Sequence, residues 1–333
     1  MKKLYIEKYS AKNKEDWDHF VLTRSINGTF LQTMQFLSYH PPGRFQDHSL
    51  IIRDGKKEIV CVIPAAEVVT DGSKHLFASH PGSTFGGIIV HNQANKGKSI
   101  DSILTLLEDY LHQKSFNEAI IKTTPAIFCR GNDVLIEYFL YKNDFVEEKE
   151  LSSYIDYQKY DESIVNNFNN NRSRNLKDAM QHNLSFEKLN RREEIQALHA
   201  ILAKNLEKFN KTPVHGLEEL FELKNNIIPE NVEFYGLKTP DMLIAGCMAF
   251  KFDKLCFHTQ YLAMDYEYAD MHPMTQLLYE LIRVAHGHEY RYFSFGKSTE
   301  SSGKELNQGL FHFKESFGAG ATLNKIYRKT LKT

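Results

Sequence analysis

The sequence has little of what usually marks a secreted, metal-binding or nucleic-acid-binding protein. Only four of its 333 residues are cysteines, and they are widely spread without the short spacing of a metal site. Reduced thiols in the core of a cytosolic protein are their ordinary interpretation. The formal net charge is −1, so no overall positive field attracts nucleic acid. We therefore expect no metal cofactor, and nucleic acid is an improbable partner.

Long apolar stretches are lacking as well. No run of 18 apolar residues occurs, and the first ten residues, MKKLYIEKYS, have no apolar segment of the kind found in signal peptides. We expect neither secretion nor a membrane-spanning helix. The expected protein is cytoplasmic, is a monomer or dimer, and acts on small molecules without a membrane.

The sequence does contain enough material for two globular domains. Its 42% hydrophobic and 25% charged residues are ordinary for a globular protein, and 333 residues exceed a usual single domain. The order of predicted elements in the first half recurs in the second, although the halves share little sequence identity. We predict an α/β (α+β) protein with mixed sheets, built as two similar domains, residues 1–158 and 159–333.

Hydrophobic periodicity predicts the elements of both halves. The first half is predicted to contain strands at 4–9, 49–53, 58–66, 118–123 and 146–156, and helices at 14–23, 31–40, 99–114 and 135–143. The second is predicted to contain helices at 164–182, 193–208 and 216–225, and a hairpin of 232–237 with 243–252. A strand at 256–264, a polar loop at 265–272, a Leu-rich helix ending at Gly287 and a strand at 290–295 follow.

This last stretch resembles a known acyltransferase unit. Tyr261-Leu262-Ala263-Met264, before a polar loop and a Leu-rich helix, looks like the central motif of the GNAT N-acyltransferase superfamily. The run at 293–299, FSFGKST, with Phe313-Lys314 and Phe317-Gly318-Ala319, is similar to the closing signature of Fem-type double-GNAT acyltransferases. The resemblance implies two tandem GNAT-like domains with an active site in the cleft between them.

Transfer of an acyl group from a thioester to an amine requires three things. Backbone donors must face the carbonyl oxygen where negative charge develops. N–H groups or a cation must hold the donor's phosphates. The amine must lie close to the carbonyl carbon in its neutral form. We expect direct attack without a covalent intermediate, because no cysteine lies in a motif that would form one.

For the carbonyl, the resemblance places a strand irregularity near Leu262, Ala263 and Met264, which would free backbone N–H groups. An unbroken core strand would show the same alternation.

For the proton, the candidates are His258 and Gln260 on this strand and Tyr235 on a neighbouring one. His258 has an ordinary pKa near 6.5 and would be largely neutral at pH 7. A structural histidine, the leaving thiolate or water remain alternatives.

Two segments are candidates for the donor's phosphates. The first is the start of the Leu-rich helix, where unpaired N–H groups and the dipole favour anions; its residues are Ala269, Asp270, Met271, His272 and Met274. It lacks the glycines of the GNAT pattern, and Asp270 would repel phosphate unless it caps the helix. This departure leaves the donor open between acyl-CoA and aminoacyl-tRNA.

The second segment is Gly296, Lys297, Ser298 and Thr299, where glycine permits close approach and lysine supplies charge. A solvated turn is the alternative. Lys314 could pair with a donor phosphate or with a structural carboxylate.

The acceptor is expected in the first half, on a loop rich in glycine and hydroxyl groups that resembles the family's substrate-facing loop. Its candidate residues are His80, Ser83, Thr84, Phe85, Gly86 and Gly87; a plain hairpin turn is the alternative. Arg172, with Arg174 and Lys177, could contact phosphates or form a solvated helix face. Lys211 and His215 lie in a segment similar to a substrate-lining segment of relatives.

By resemblance, the expected function is transfer from acyl-CoA to a dTDP- or UDP-linked amino-deoxy sugar in surface polysaccharide synthesis. The second domain would hold the donor and the first the acceptor. A Fem-type transferase that uses aminoacyl-tRNA on a peptidoglycan precursor is the alternative, with tRNA as a partner. A non-catalytic GNAT-like binding protein is a third possibility.

Overall fold

The chain forms two compact units. The computed structural model describes residues 3–41, 43–70, 74–131, 133–208 and 210–331. The first unit comprises residues 1–150, 302–304 and 323–333, and the second comprises residues 151–301 and 305–322. The division after Glu150 lies eight residues before the predicted boundary at 158, and the last strand of the chain belongs mainly to the first unit.

The described residues form the following strands and α-helices. The strands are β1 (Tyr5–Lys8), β2 (Gln46–Asp47), β3 (Leu50–Arg53), β4 (Ile59–Ile63), β5 (Ala65–Val69), β6 (His75–Ser79), β7 (Ile89–Val90), β8 (Glu118–Lys122), β9 (Val146–Asp156), β10 (Ser185–Lys188), β11 (Val232–Lys238), β12 (Leu243–Phe252), β13 (Cys256–Met264), β14 (Tyr292–Lys297), β15 (Thr299–Glu300), β16 (Glu305–Leu306) and β17 (Gly320–Thr330). The α-helices are α1 (Lys14–His19), α2 (Met34–Leu37), α3 (Gly97–Gln113), α4 (Val134–Lys142), α5 (Asn170–Ala179), α6 (Arg192–Glu207), α7 (Leu217–Glu222), α8 (Pro273–Gly287) and α9 (Gln308–Glu315). Most predicted elements are confirmed within a few residues.

The first unit contains two sheets. One has the order β1-β3-β4-β7 and is antiparallel throughout. In the other, β2, β5 and β6 are antiparallel neighbours, β8 runs parallel to β6, and β17 pairs antiparallel with β8. The helix α3 packs on this framework through an apolar face that includes Ile100, Leu104 and Leu107.

The second unit repeats this arrangement. Strands β10 to β13 form antiparallel pairs in succession, β14 runs parallel to β13, and β9 pairs antiparallel with β14. The segments β5-β6-α3-β8 and β12-β13-α8-β14 therefore share one plan, in which a hairpin leads through a helix to a parallel strand. Two copies of one mixed α/β fold are confirmed.

Three predicted elements are interrupted, each by identifiable chemistry. The strand predicted at 58–66 is divided at Pro64, which has no N–H for a ladder, and its halves join different sheets. The helix predicted at 31–40 is wrong: a 3-10 turn, Phe30–Gln32, precedes α2, and the Thr33 hydroxyl caps α2 by accepting the Phe36 N–H. The helix predicted at 164–182 breaks before α5, where Asn169 accepts the N–H of Arg172 at 2.8 Å.

Gly246 in β12 offers a test of the packing of α6 on the sheet. A Cβ added there would lie 2.7 Å from Leu198 Cδ1 of α6 and 2.9 Å from the Tyr235 carbonyl oxygen. We expect Gly246→Ala to lower the free energy of unfolding by about 1–3 kcal/mol, because a methyl group would be forced into a packed interior.

Gly287 at the end of α8 is the matched control, because an added Cβ there meets no atom within 4 Å. Gly287→Ala should leave stability unchanged or raise it by up to about 1 kcal/mol through helix propensity. Denaturant titration measures both variants, and equal stability would show that α6 can move away from β12.

Candidate active site

The site is organised by two parallel strands that separate. β13 and β14 pair only at Cys256 with Tyr292, Phe257 with Phe293 and His258 with Ser294. β13 then continues to Met264 without β14 at its side. We refer to the diverging ends, residues 259–264 of β13 and residues 295–297 of β14, as the wedge.

Backbone N–H groups of β13 point into the wedge. The Asp265 N–H donates to the Ile244 carbonyl oxygen at the end of β12, at 2.7 Å. Because successive N–H groups of a strand point to opposite edges, the Ala263 N–H faces β12 while those of Leu262 and Met264 face the wedge. This orientation is what polarisation of a carbonyl would require of Leu262 and Met264. Ala263 uses its N–H in the sheet.

The predicted position of the strand irregularity is wrong. Met248 pairs with Tyr261 and Ala249 pairs with Thr259, so the extra residue of β13 is Gln260. Residues 262–264 keep their pairing with β12. Their N–H groups are free because β14 diverges from β13, and not because of a bulge. The bulge at Gln260 instead changes the direction of the Gln260 side chain.

His258 is the last residue of β13 that pairs with β14 before the wedge begins. Its Nδ1 lies 3.0 Å from Ser294 Oγ, which also accepts the Gly296 N–H at 3.3 Å. The Gln260 side chain forms a second hydrogen bond with His258. Burial, with a smaller effect of the Lys314 charge, lowers the pKa of His258 to about 4. His258 is therefore neutral at pH 7, as predicted, but its contacts suit a positioning role better than that of a base.

A polar chain continues from Gln260 along the same strand. The Gln260 side chain also bonds the Tyr261 hydroxyl, which is hydrogen-bonded to His215 Nδ1. Burial raises the pKa of Tyr261 to about 12, so its hydroxyl keeps its proton at neutral pH. His215 is thus brought to the strand, whereas Lys211 is exposed. Tyr261 and Ser294 carry polar contacts that the sequence did not single out, because both lie in apolar strand patterns.

Tyr235 does not belong to this group. Its ring stacks on Phe186 at 5.6 Å and lies 6.1 Å from Phe257 in the core. Its hydroxyl donates to Glu233, and burial raises its pKa. Since His258 follows Phe257 and successive side chains point to opposite faces, Tyr235 lies on the other face of the sheet. Its proposed role as a proton acceptor is not supported, and it is a core residue.

The turn after β14 is fixed from within. Gly296 has φ +73°, and Lys314, 4% exposed, donates to Gly296 O at 3.0 Å, Lys297 O at 2.7 Å and Ser298 Oγ at 2.9 Å. All three N–H groups of its ammonium are used. Among the described residues no carboxylate pairs with Lys314. Its ammonium group therefore binds the turn after β14 and not an acidic side chain. Ser298 and Thr299 are buried and Lys297 is exposed, so the segment is not a solvated turn.

The start of α8 differs from the predicted loop. Residues Tyr266–Met271 form a 3-10 helix, and His272, with φ 50°, connects it to Pro273. No side chain caps α8, so Asp270 is not its cap. The Asp270 side chain is exposed. Asp178 of α5 lies 3.8 Å from His272 Nε2. Two carboxylates therefore flank the helix start, and both oppose a phosphate at this point.

The predicted basic cluster is divided by the geometry of α5. Arg174 and Lys177 are exposed, whereas Arg172 lies on the buried face with Leu176 and Ala179. Arg172 Nε donates to Ser316 Oγ at 2.9 Å and Nη1 donates to Thr275 Oγ1 at 2.6 Å. A solvated helix face is thus the wrong interpretation for Arg172.

In the first unit, a loop occupies the region equivalent to the wedge. β6 and β8 pair in parallel only from Leu76 to Ala78, and the loop that follows β6 returns against the end of β8. Ser79 Oγ accepts the N–H groups of Gly87 at 3.2 Å and Lys122 at 2.9 Å. Gly86 N donates to Lys122 O at 3.2 Å. The end of β8, the strand equivalent to β14, is thus covered by the loop that follows β6.

Most of the predicted acceptor contacts are therefore interior. Ser83, Phe85, Gly86 and Gly87 are buried and Thr84 is exposed. His80 is also buried; its Nδ1 accepts the Gly82 N–H at 3.1 Å, and burial lowers its pKa to about 4. The loop is rich in hydrogen bonds, as predicted, but it uses them to support itself.

Comparison with known proteins places these features in a family. Residues 167–315 match the acetyltransferase (GNAT) domain family. No curated protein is similar to the chain in sequence. Among solved structures, FemX has 13% identity and a TM-score of 0.67 over 96% of both chains. L-PGS from Bacillus licheniformis has 11% identity and a TM-score of 0.60 over 98% of this chain and 94% of its own.

A tandem GNAT protein from the clavulanic acid biosynthesis pathway has 10% identity and a TM-score of 0.57 over 99% of both chains. The second unit thus contains the stretch that matches the GNAT domain family, and the fold of the chain is like that of FemX and of the tandem GNAT protein. The predicted fold is confirmed, and the predicted superfamily is matched over residues 167–315. Within the described ranges no helix is long and apolar enough to cross a membrane, and no cluster of three metal-ligating side chains occurs.

Lys314 leads to a prediction about pH and stability. Burial lowers its pKa to about 7 from the ordinary 10.5. Between these two values the unfolded chain binds a proton that the folded chain does not, so stability rises with pH in this window. Below pH 7 both states are protonated and the contribution is constant.

We therefore expect the free energy of unfolding of the natural protein, relative to Lys314→Met, to increase by roughly 1–4 kcal/mol between pH 7 and 10. Denaturant titrations at several pH values measure this difference. A difference that does not change with pH would show that Lys314 stays charged in the folded protein.

Proposed function

We propose that the protein is an N-acyltransferase that moves an acyl group from acyl-CoA to the amine of a nucleotide-linked amino sugar. The observation that carries the proposal is the pair of N–H groups of Leu262 and Met264 at the unpaired edge of β13, inside the matched GNAT domain. Such donors stabilise an oxyanion without any metal or covalent intermediate.

The reaction follows from this geometry. The thioester carbonyl oxygen accepts a hydrogen bond from a backbone N–H group of the wedge while the amine attacks the carbonyl carbon. The new C–N bond forms, the C–S bond breaks, and the amine's proton passes to the leaving thiolate or to water. His258, bonded to Ser294 and Gln260, orders the strand beneath this site. The protonated Tyr261 hydroxyl is a proton donor one residue from Leu262.

The choice of acceptor rests on the resemblance to double-GNAT proteins that acylate nucleotide-linked sugars. In this proposal the second unit binds the donor and the first unit supplies acceptor contacts, with Thr84 as an exposed candidate residue of the loop at 80–87. A dTDP- or UDP-linked amino-deoxy sugar is the acceptor class.

A second candidate function is favoured by one observation. The start of α8 has no glycine and is flanked by Asp178 and Asp270, which disfavours the diphosphate of coenzyme A there. An aminoacyl-tRNA donor, as in Fem-type transfer to a peptidoglycan precursor, would not need a diphosphate at this helix. The likeness in fold to FemX and L-PGS is in keeping with this candidate.

A mass-spectrometric screen of acyl-CoAs against dTDP- and UDP-linked amino sugars tests the first candidate. Acylated sugar is the expected product. Absence of product and of coenzyme A binding, together with salt-sensitive tRNA binding, would replace it with the second candidate. If neither donor binds, the protein is a non-catalytic member of the fold.

The role of the wedge can be tested by removing one N–H. We expect Leu262→Pro to lower kcat by about 10²- to 10³-fold, because proline has no N–H and the lost donor faces the acyl group. The ladder with β12 should remain, since it does not use this N–H.

Ala263→Pro is the matched control, because the Ala263 N–H does face β12. It should lower the melting temperature much more than Leu262→Pro does. Steady-state kinetics and thermal melting measure both variants. Normal kcat in a folded Leu262→Pro protein would exclude this N–H from catalysis.

A further inference from the structure

After His258, β13 is supported by a neighbouring strand on one side only. Residues 261–264 pair with β12, while β14 no longer lies along their other edge. The bulge at Gln260 also interrupts the ladder two residues before Leu262. A bulged strand with a single neighbour twists more easily than one inside a regular sheet. The direction of the Leu262 N–H is therefore set partly by contacts outside the ladder.

Tyr261 is the residue through which such contacts act on this N–H. It pairs with Met248, whose neighbours Cys247 and Ala249 belong to the core that includes the apolar face of α8. Because side chains alternate along a strand, Met248 and Tyr261 point to the opposite face. The planar peptide group that follows Tyr261 carries the Leu262 N–H. A contact that fixes Tyr261 from this face therefore limits the rotation of that N–H.

Three contacts surround the hydroxyl oxygen of Tyr261. Burial raises the pKa of Tyr261, whereas the Gln260 side chain and the His215 backbone N–H lower it, as hydrogen-bond donors do. The third partner is His215 Nδ1. Since the two donors occupy the acceptor positions of the oxygen, the hydroxyl donates its own proton to Nδ1. The phenol is therefore fully hydrogen-bonded, and its position is fixed.

His215, in turn, is anchored to two helices. It is buried and directly precedes Gly216, the N-cap of α7, which donates its N–H to Glu219 Oε2 at 2.7 Å. His199 Nε2 of α6 donates to the His215 carbonyl oxygen at 3.1 Å. The His215 and Tyr261 rings meet edge to face, with their centroids 5.7 Å apart. The two helices thus hold His215, and His215 holds Tyr261.

We propose that His215 is a positioning residue of the acyl transfer, which acts through the Tyr261 hydroxyl to align the Leu262 N–H with the developing oxyanion. The inference rests on the proposed function and deepens it, because it names what holds the catalytic donor in place. Stabilisation of an oxyanion depends on donors that are preorganised. A displacement of about 1 Å at a reacting centre can cost about 10²-fold in rate. His215 has this effect without touching either substrate.

The inference predicts an effect on kcat with little effect on KM. The Leu262 N–H stabilises charge that develops in the transition state, so its misalignment raises the barrier without weakening ground-state binding. If His215 instead contacted the acceptor, its removal would raise the KM of the acceptor. If His215 only supported the fold, its removal would lower the melting temperature and leave kcat of the folded protein unchanged.

The kinetic test compares His215→Ala and Tyr261→Phe with the natural protein, using acetyl-CoA and a dTDP-linked amino-deoxy sugar. We expect each variant to lower kcat by about 10- to 100-fold. The double variant should lower kcat no further, because both residues act along one path. His215→Asn retains a hydrogen-bond acceptor near the position of Nδ1, so its kcat should stay within about fivefold of the natural value.

His312→Ala is the matched control. The His312 side chain is 74% exposed and belongs to the same unit, so the same chemical change should alter kcat by less than about threefold. Normal kcat in folded His215→Ala and Tyr261→Phe overturns the proposal. An effect confined to the KM of the acceptor overturns it as well, because His215 would then be a substrate contact.

A second measurement needs no substrate. In protein labelled with 15N-leucine, the order parameter of the Leu262 amide reports how rigid its N–H is, and Leu262→Pro identifies the signal by its loss. We expect a value of about 0.85 in the natural protein, a fall toward about 0.6 in His215→Ala and recovery in His215→Asn. An unchanged order parameter in folded His215→Ala contradicts the proposal. Tyr261→Phe takes its place if His215→Ala does not fold.

The two measurements separate this inference from the proposed function. If the order parameter falls in His215→Ala but the natural protein transfers no acyl group, His215 positions the strand and the proposed function fails. If the natural protein transfers acyl groups and neither kcat nor the order parameter changes in His215→Ala, the proposed function stands and this inference fails.

Discussion

The second unit depends on the point where β13 and β14 stop pairing. Up to His258 and Ser294 the strands are joined as in any parallel pair; beyond them β13 keeps one neighbour and loses the other. Two sets of polar contacts adjoin this separation. His258 contacts Ser294 at the last paired position, and Lys314 binds the turn that follows β14. Unpaired strand edges are usually a liability, and in the proposed mechanism the free N–H groups polarise the acyl carbonyl.

The two units share one arrangement of strands but differ in what contacts the ends of the two parallel strands. In the second unit the edge of β13 stays free. In the first, Ser79 and the glycines of the following loop form hydrogen bonds with the end of β8, the counterpart of β14. The glycine-rich loop at 80–87 resembles a substrate-binding loop in its sequence. Most of its polar groups form hydrogen bonds within the first unit. In the proposed function, contact of this loop with the acceptor would be confined to the few atoms at its surface.

Local patterns predicted the fold well because they reflect burial. The strand at 256–264 and the helix ending at Gly287 were predicted within a residue, since alternating and helical apolar spacing map directly onto the core. The interruptions at Pro64 and Thr33 were missed, although proline and threonine chemistry accounts for both. The site was harder, because Arg172 and His215 obtain their side-chain partners from residues 46 to 144 positions away, and Lys314 obtains its partners from a turn 16 to 18 positions away. No spacing in the sequence encodes such contacts.

The last strand of the chain carries a consequence for synthesis. Residues 323–333 belong to the first unit, where Tyr327 and Leu331 fill its core and β17 pairs with β8. The amino-terminal half therefore leaves the ribosome first but cannot complete its sheet until residues 323–331 have been synthesised. During that interval the edge of β8 that β17 will cover is open to pairing with another strand.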